Sequence, residues 1–541
     1  MAADEAVVSH HPRRHLAFQC YQRSSVINMS LLPSVSPSRL DSWDALSRPD
    51  APTAVSLAAL SSTLLPLMRA HNIRANFSSI RDGMVEVDAT QNPTRAYKVR
   101  GALASINSAK HQGNKSVWTA SAGNHGAGVA MAARLLGLDA TVYVPETAPK
   151  IKVQNIETFG ARVIKTGANF DECLAAALAC QERASTSSAF IHPFDDHIVA
   201  AGQGTLGLEL VEHLNTTLRQ RSFQAVRLFV PIGGGGLISG MASTLRTLWN
   251  ELLPPLQIIG VVDESSPASL IGTLFGRPVA ARPDTIADGT RVAQVGQTFL
   301  SLAPLIDFIM PVPHDAIVAT MRQHFQQNNE ALEPSGALAL TGEALARRHS
   351  LLPHTKASLH YAVVSGRNVD DETFRTVMSE PARRCERSQS RVPYQVRIPE
   401  KDGELLRFLN TVAEFNIASL TYKQRAANPL GDLQVEFDVE NSKISELHDQ
   451  LLRGFPGTNL LSDSRSRLFQ VGAPVAQHYQ DQLIALDDHP GSFRDYVQGL
   501  HDSGTLGSVG FLFYRQPAKP GSRAQVVIGR AASSPRSDFA S

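Results

Sequence analysis

The chain has 541 residues, 43% of them hydrophobic and 19% charged, with a formal net charge of +1. That is too long for one typical domain and ordinary in composition, and it lacks the dense Lys/Arg block that nucleic acid or an anionic membrane would require. The four cysteines, Cys20, Cys173, Cys180 and Cys385, form no CxxC pair and no metal-ligand cluster. This speaks against a disulfide scaffold or a metal and for a reduced compartment.

Residues 1–50 are rich in Ser, Arg and His, carry Asp4, Glu5, Asp41 and Asp44, and lack a signal-peptide apolar core. They read as a poorly ordered extension of a cytoplasmic protein, organellar only if the extension is a transit peptide. From about residue 56 to 370, β-rich runs alternate with amphipathic stretches. Strands are predicted at Met84–Asp88, Val117–Ala120, Ala140–Val144, Ala161–Thr166, Val226–Val230, Gln257–Val262 and Leu359–Val364. Helices are predicted at Gly126–Leu136, Glu172–Ala184, Leu206–Leu214, Ala316–Phe325 and Gly336–Ala346. Strands apolar on both faces and separated by helices indicate a mostly parallel, doubly covered sheet, with ligands beyond the C-terminal strand ends. Cys173 and Cys180, about two helical turns apart, read as one buried helix face.

Four segments in this region carry candidate chemistry. In Asn92–Ala102, Lys98 stands among Ala96, Tyr97, Val99 and Ala102 at a helix start. Desolvation there would lower its pKa and suit imine chemistry; the alternative is a solvated face shared with Arg100. Thr119–Ala127 follows a strand, and its Ser121, Gly123, Asn124 and His125 offer donors to an anionic oxygen, or else a helix N-cap. Gly233 to Gly236 and Leu237 follow another apolar strand and open a helical pattern, as a phosphate cradle or a tight turn would. That glycine run and Arg246 also break Leu228–Leu248 as a membrane span. In the fourth segment Ser365 ends an apolar strand, where it reads as a site residue or as part of a turn.

Composition then shifts. Residues 379–391 are polar and lack periodicity, as a linker would. Tyr394–Ile398, Leu405–Phe415, Ile417–Tyr422, Leu433–Val439 and Ile444–Leu452 read as β-α-β-β-α. Ile398–Phe408 finds an echo in Leu486–Tyr496, aligning Gly403 with Gly491, Leu405 with Phe493 and Phe408 with Tyr496. A second module with strands at Val509–Tyr514 and Gln525–Ile528 follows and lacks a last helix and strand.

Ala96-Tyr-Lys-Val-Arg-Gly-Ala102 resembles the Ser-Phe-Lys-x-Arg-Gly-Ala motif around the pyridoxal-phosphate lysine of fold-type II enzymes. Within that group the chain resembles the biosynthetic threonine dehydratases (threonine ammonia-lyases). Collinear matches are Ser121-Ala-Gly-Asn-His125, His192-Pro-Phe-Asp-Asp196, Ala201-Gly-Gln-Gly-Thr205, Pro231 to Leu237, Ile286-Ala-Asp-Gly289, Leu332-Glu-Pro-Ser-Gly-Ala337 and Ser365-Gly-Arg-Asn-Val-Asp370. The resemblance implies an α/β fold of two parallel-sheet subdomains over residues 51–378, followed by ACT-like α+β modules at 392–472 and 473–541, the second incomplete.

It further implies pyridoxal 5′-phosphate held by Lys98. Asn124 would meet the ring 3′-oxygen, Gly233, Gly234, Gly235, Gly236 and Leu237 the phosphate, and Ser365 the ring nitrogen. Ser121, Gly123, Asn124 and His125 would take the substrate carboxylate. The implied reaction is deamination of L-threonine, or L-serine, to a 2-oxo acid and ammonia in isoleucine biosynthesis. The implied partners are isoleucine and valine as effectors and a homo-oligomer, dimer or tetramer. A serine racemase would carry a second serine where Ala122 stands. The same motifs would also suit another β-eliminase of the group, or a non-catalytic amino-acid-binding relative. Arg95-Ala96 replaces the family's Gly-Ser and Arg367 a glycine, which leads one to expect extra charge near the phosphate or pocket mouth.

Overall fold

The computed structural model describes residues 53–531 apart from 169, 182–186, 252, 349–351, 353–356, 380–388, 400–402, 424–429, 457, 461–468, 472–478, 487–491, 504–508 and 516–523. The extension 1–50, Cys20, Cys385 and most of the expected linker lie outside the described residues.

Among the described residues, ten strands precede residue 370: β1 (Asn76–Phe77), β2 (Met84–Asp88), β3 (Ser116–Ala120), β4 (Asp139–Val144), β5 (Arg162–Lys165), β6 (Ser188–Phe190), β7 (Ala225–Pro231), β8 (Leu256–Asp263), β9 (Phe308–Val312) and β10 (Ser358–Val364). They form two sheets. The smaller, in order β5-β4-β3-β6, is wholly parallel. The larger runs β1-β2-β10-β7-β8-β9, parallel except for its edge strand β1. Side chains of the central strands alternate between two separate cores. Leu228, Val230, Ile258, Tyr361 and Val363 enter one, while Phe229, Ile259, Val261, Ala362 and Val364 enter the other. Burial on both faces is why these strands read as unbroken apolar runs.

All seven predicted strands are present. The ones missed are β1 and β6, two and three residues long, and β9, whose Pro311 disguises it. Strands this short show no periodicity, and proline removes a ladder donor. The helices that place the site are α1 (Ala54–Ala70), α2 (Val99–His111), α3 (Asn124–Leu136), α4 (Lys150–Thr158), α5 (His197–Gln220), α6 (Gly236–Leu248) and α7 (Pro334–Arg348). Cys173 is buried on the helix Phe170–Gln181 with Ala177 and Trp118.

The C-terminal region has strands β11 (Gln389–Pro399), β12 (Asn416–Lys423), β13 (Leu430–Glu440), β14 (Asn459–Leu460), β15 (Phe469–Gln470), β16 (Tyr479–Leu486), β17 (Val509–Arg515) and β18 (Ala524–Ala531). Its helices are α8 (Glu404–Thr411), α9 (Ile444–Gly454) and α10 (Ser492–Asp502). Strand β11 reaches back into the segment expected to be linker, because Gln389 to Arg391 pair with Glu440 to Asp438. One sheet, β14-β11-β13-β12-β17-β18-β16, joins β-α-β-β-α-β to β-α-β-β edge to edge through β12 and β17. Leu405, Phe408 and Phe493 are buried in its shared core, with Tyr496 against it.

The two regions also meet. Strand β15 adds antiparallel to the edge of β9, pairing Phe469 with Ile309 and Gln470 with Phe308. On β18, Val526 and Ile528 face the C-terminal core, while Val527 between them is buried in the core of the large parallel sheet.

Candidate active site

The C-terminal ends of β3, β7 and β10 supply three of the four candidate segments, and the turn before α2 supplies Lys98. Backbone contacts draw them together. Ala96 bridges Gly366, and the Tyr97 N–H donates to the Ser365 carbonyl at 3.1 Å. The Lys98 ammonium reaches the Pro193 carbonyl at 3.0 Å, and the neighbouring Phe194 ring lies under Gly234. Burial drives the Lys98 pKa down to about 8, against an opposing pull from the Glu333 carboxylate.

Arg100 is not on a solvated face. It is fully buried, and its guanidinium spans both Glu209 carboxylate oxygens at 3.0–3.2 Å and Thr205 at 2.9 Å. This clamps α2 to α5 two residues beyond Lys98, so the motif arginine orients the lysine's helix.

The 121–125 loop is not capped by Ser121 or Asn124. Gly123 stands at the N-cap of α3 without a side-chain cap, and its N–H donates to Ser121 Oγ at 3.2 Å. Asn124 donates through Nδ2 to Glu333 at 2.8 and 3.1 Å. The His125 ring is buried, with Nε2 3.1 Å from the Ile191 carbonyl, and burial takes its pKa down to about 3. It is neutral, and the loop's anion-binding capacity rests on Ser121, Asn124 and backbone N–H groups.

In the glycine run, Gly235 has a φ of +94°, which favours glycine, and α6 starts at Gly236. The N–H groups of Gly233 to Leu237 donate to no backbone carbonyl among the described residues. A row of amides left over at a helix start is what a phosphate needs. Ser365 is buried and donates to the Ser335 carbonyl at 3.2 Å.

Arg367 corrects the expectation of extra charge for its own position. The Arg367 guanidinium pairs with Asp88 at 3.0 Å and Glu330 at 2.7 Å and bonds Thr90 at 2.9 Å. Its charge is therefore compensated. Arg95 takes a φ of +51° and is exposed, occupying a left-handed position where the family's glycine would be unstrained.

Two residues with no predicted role stand inside the site. Glu333 is buried, accepts from Asn124 and Ser335, and has its pKa raised by burial. A Cβ on Gly366 would fall 1.8 Å from its Oε1, so a side chain there would displace the Glu333 carboxylate. Asn368 donates to Asn124 Oδ1 at 2.7 Å and to the Thr94 carbonyl at 2.8 Å. Both lie in segments already singled out, but a polar side chain in a motif does not announce its partner.

A partly buried low-pKa lysine, a donor-rich loop, free helix-start amides and a strand-end serine, all converging, fit an aldehyde-bearing phosphorylated cofactor. Comparison with known proteins agrees. Residues 82–358 match the family model for pyridoxal-phosphate dependent enzymes. The L-threonine dehydratase biosynthetic IlvA of Pasteurella multocida is 35% identical over 62% of each chain. The Burkholderia multivorans protein of the same name is 32% identical over 75% of this chain and 79% of its own. The processed form of threonine deaminase isoform 2 from Solanum lycopersicum superposes with a TM-score of 0.52 and 29% identity, covering 59% of this chain and 92% of that one. Matched by that family model over half of its length, the chain belongs to the family of pyridoxal-phosphate dependent enzymes.

Proposed function

We propose that this protein deaminates L-threonine to 2-oxobutanoate and ammonia, using pyridoxal phosphate held by Lys98. The observation that carries the reading is the Lys98 amine, partly buried and with its pKa lowered by desolvation to about 8, set among Asn124, Glu333, the 193–194 turn and the glycine loop. The threonine dehydratases and deaminase among its relatives supply the substrate. When bound, the cofactor supplies an aldehyde that condenses with amines and a ring that takes up the electron pair left at Cα.

The chain's own residues do the rest. Lys98 would hold the cofactor aldehyde and, with its amine free, would be the base that takes the substrate Cα proton. The Gly233 to Leu237 amides would hold the phosphate, Asn124 would donate to the 3′-oxygen, and Ser365 would meet the ring nitrogen. A hydroxyl there would be a weaker partner for that nitrogen than a carboxylate, a pairing that suits β-elimination rather than transamination. Ser121, with the Gly123, Asn124 and His125 backbone, takes the substrate carboxylate. Ala122 carries no proton to exchange, which favours elimination over racemisation.

We assign residues 51–378 to catalysis and those from 392 onward to two ACT-like modules, the second shorter, that respond to isoleucine with valine as antagonist. The β-α-β-β-α-β order of the first module and the docking of β15 on β9 support that division. Valine and isoleucine binding, a homo-oligomer and a cytoplasmic or organellar site complete the reading. No described helix is long and apolar enough to cross a membrane. The reading is tested by incubating purified protein with L-threonine or L-serine, with and without added cofactor, and following the keto acid. Absence of keto acid from a protein that has bound the cofactor would favour a non-catalytic amino-acid-binding role.

A further inference from the structure

We infer that Asn368 is a positioning residue that fixes which end of the Asn124 amide faces the cofactor. The inference rests on the proposed cofactor contact of Asn124. The orientation follows outward from a backbone carbonyl. The Thr94 oxygen can only accept, so the Asn368 atom 2.8 Å from it is the NH2 group. That same atom lies 2.7 Å from the Asn124 side chain, and the partner there must accept, so it is Oδ1. The atom Asn124 then presents on its other side, 2.8 and 3.1 Å from the Glu333 oxygens, is its own NH2. The assignment holds whatever the protonation of Glu333.

An amide turned this way offers a donor to an anionic ring oxygen. Turned over, it would offer an acceptor and repel that oxygen. Asn368 sits in the segment after β10, on the large sheet, while Asn124 opens α3 on the small sheet. The bond between them therefore carries the orientation across the cleft between the two subdomains.

The geometry makes an unusual prediction about the order of two variants. Asn368→Asp keeps the size and removes the donor. Its acceptor oxygens face the Thr94 carbonyl and draw the Asn124 NH2 toward themselves. Asn368→Ala removes the side chain and leaves Asn124 held by Glu333 alone. A residue that merely filled space would tolerate Asp better than Ala. A residue that sets the amide orientation tolerates Ala better than Asp.

The test measures the pyridoxal phosphate dissociation constant of the full chain by absorbance titration, together with the ratio of its visible to near-ultraviolet bands. The expected result is a rise of about tenfold for Asn368→Asp and about threefold for Asn368→Ala, with the visible band depleted more in the Asp variant. Combined with Asn124→Ala, either change should add nothing further, because both act through one bond. Asn368→Leu serves if the Asp variant fails to fold; it should match Ala and lose its effect in the Asn124→Ala background. Asp binding as tightly as wild type, Ala weaker than Asp, or additive effects with Asn124→Ala would overturn the inference alone. Unchanged affinity in the single Asn124→Ala variant would overturn the cofactor contact on which it rests.

Discussion

Lys98 carries the account at the scale of single residues. Its amine must be unprotonated to capture an aldehyde, and burial brings it to about 8 from an ordinary 10.5. Capture of pyridoxal phosphate by cofactor-free protein should therefore accelerate about tenfold per pH unit up to about pH 8 and level off above it. A rate still climbing toward pH 10 in stopped-flow absorbance would show an ordinary lysine. Lys98→Ala should lose both the visible absorbance of the bound cofactor and the borohydride-fixed adduct while keeping its circular dichroism spectrum. Lys98→Arg should fail in the same way, because a guanidinium stays protonated. Asn124→Ala and Ser365→Ala each remove one hydrogen bond, so titration should show cofactor binding weakened by about 0.5–1.5 kcal/mol. These residues could be singled out in the sequence because Lys98, Asn124 and Ser365 stand in collinear motifs that resemble those of the family. Their partners could not. That Arg100 is buried on Glu209, that His125 turns to the Ile191 carbonyl, and that Arg367 is neutralised by Asp88 and Glu330 depend on elements far apart in the chain.

Among the elements, α2 and α5 are joined by the most demanding contact near the site. Arg100 is fully buried and Glu209 nearly so, so removing one partner leaves the other charge stranded. Arg100→Met should lower the unfolding free energy by about 3–5 kcal/mol in a urea titration. Most of that loss should be recovered when Glu209→Gln accompanies it; an unchanged midpoint in the single variant would mean the clamp contributes nothing. The glycine loop shows how an element constrains its own test. A Cβ on Gly234 would lie 2.1 Å from the Phe194 ring. Gly234→Val would thus displace Phe194 and the turn that meets Lys98, as well as crowding the phosphate. Loss of cofactor affinity in that variant is expected, and unchanged affinity would contradict the phosphate role. The strand pattern was readable because burial on two faces leaves long apolar runs, whereas β9, with its proline, and the two-residue β15 were invisible to any periodicity.

Across the whole molecule, the described residues tie the C-terminal region to the large parallel sheet through the β15–β9 pairing and the buried Val527. The internal repeat could be read from Gly403 and Gly491 and the apolar residues after them. This docking could not, because no local pattern marks a strand that completes another domain's sheet. Truncation after residue 385 should leave a core that still deaminates threonine but no longer responds to isoleucine. Loss of β15 and Val527 should also lower its melting temperature. A truncated protein still inhibited by isoleucine as strongly as the full chain would place the effector site within residues 51–378. Effector coupling, where present, is expected at about 1–3 kcal/mol.

The central claim is that a cofactor held by Lys98 removes the amino group of threonine. The most direct measurement supplies the full chain and its Lys98→Ala variant with pyridoxal phosphate and L-threonine and follows 2-oxobutanoate, with the lysine adduct mapped after borohydride reduction. The account expects 2-oxobutanoate from the wild type alone and the adduct on Lys98. Keto-acid formation surviving in Lys98→Ala, or an adduct on another lysine, would contradict it.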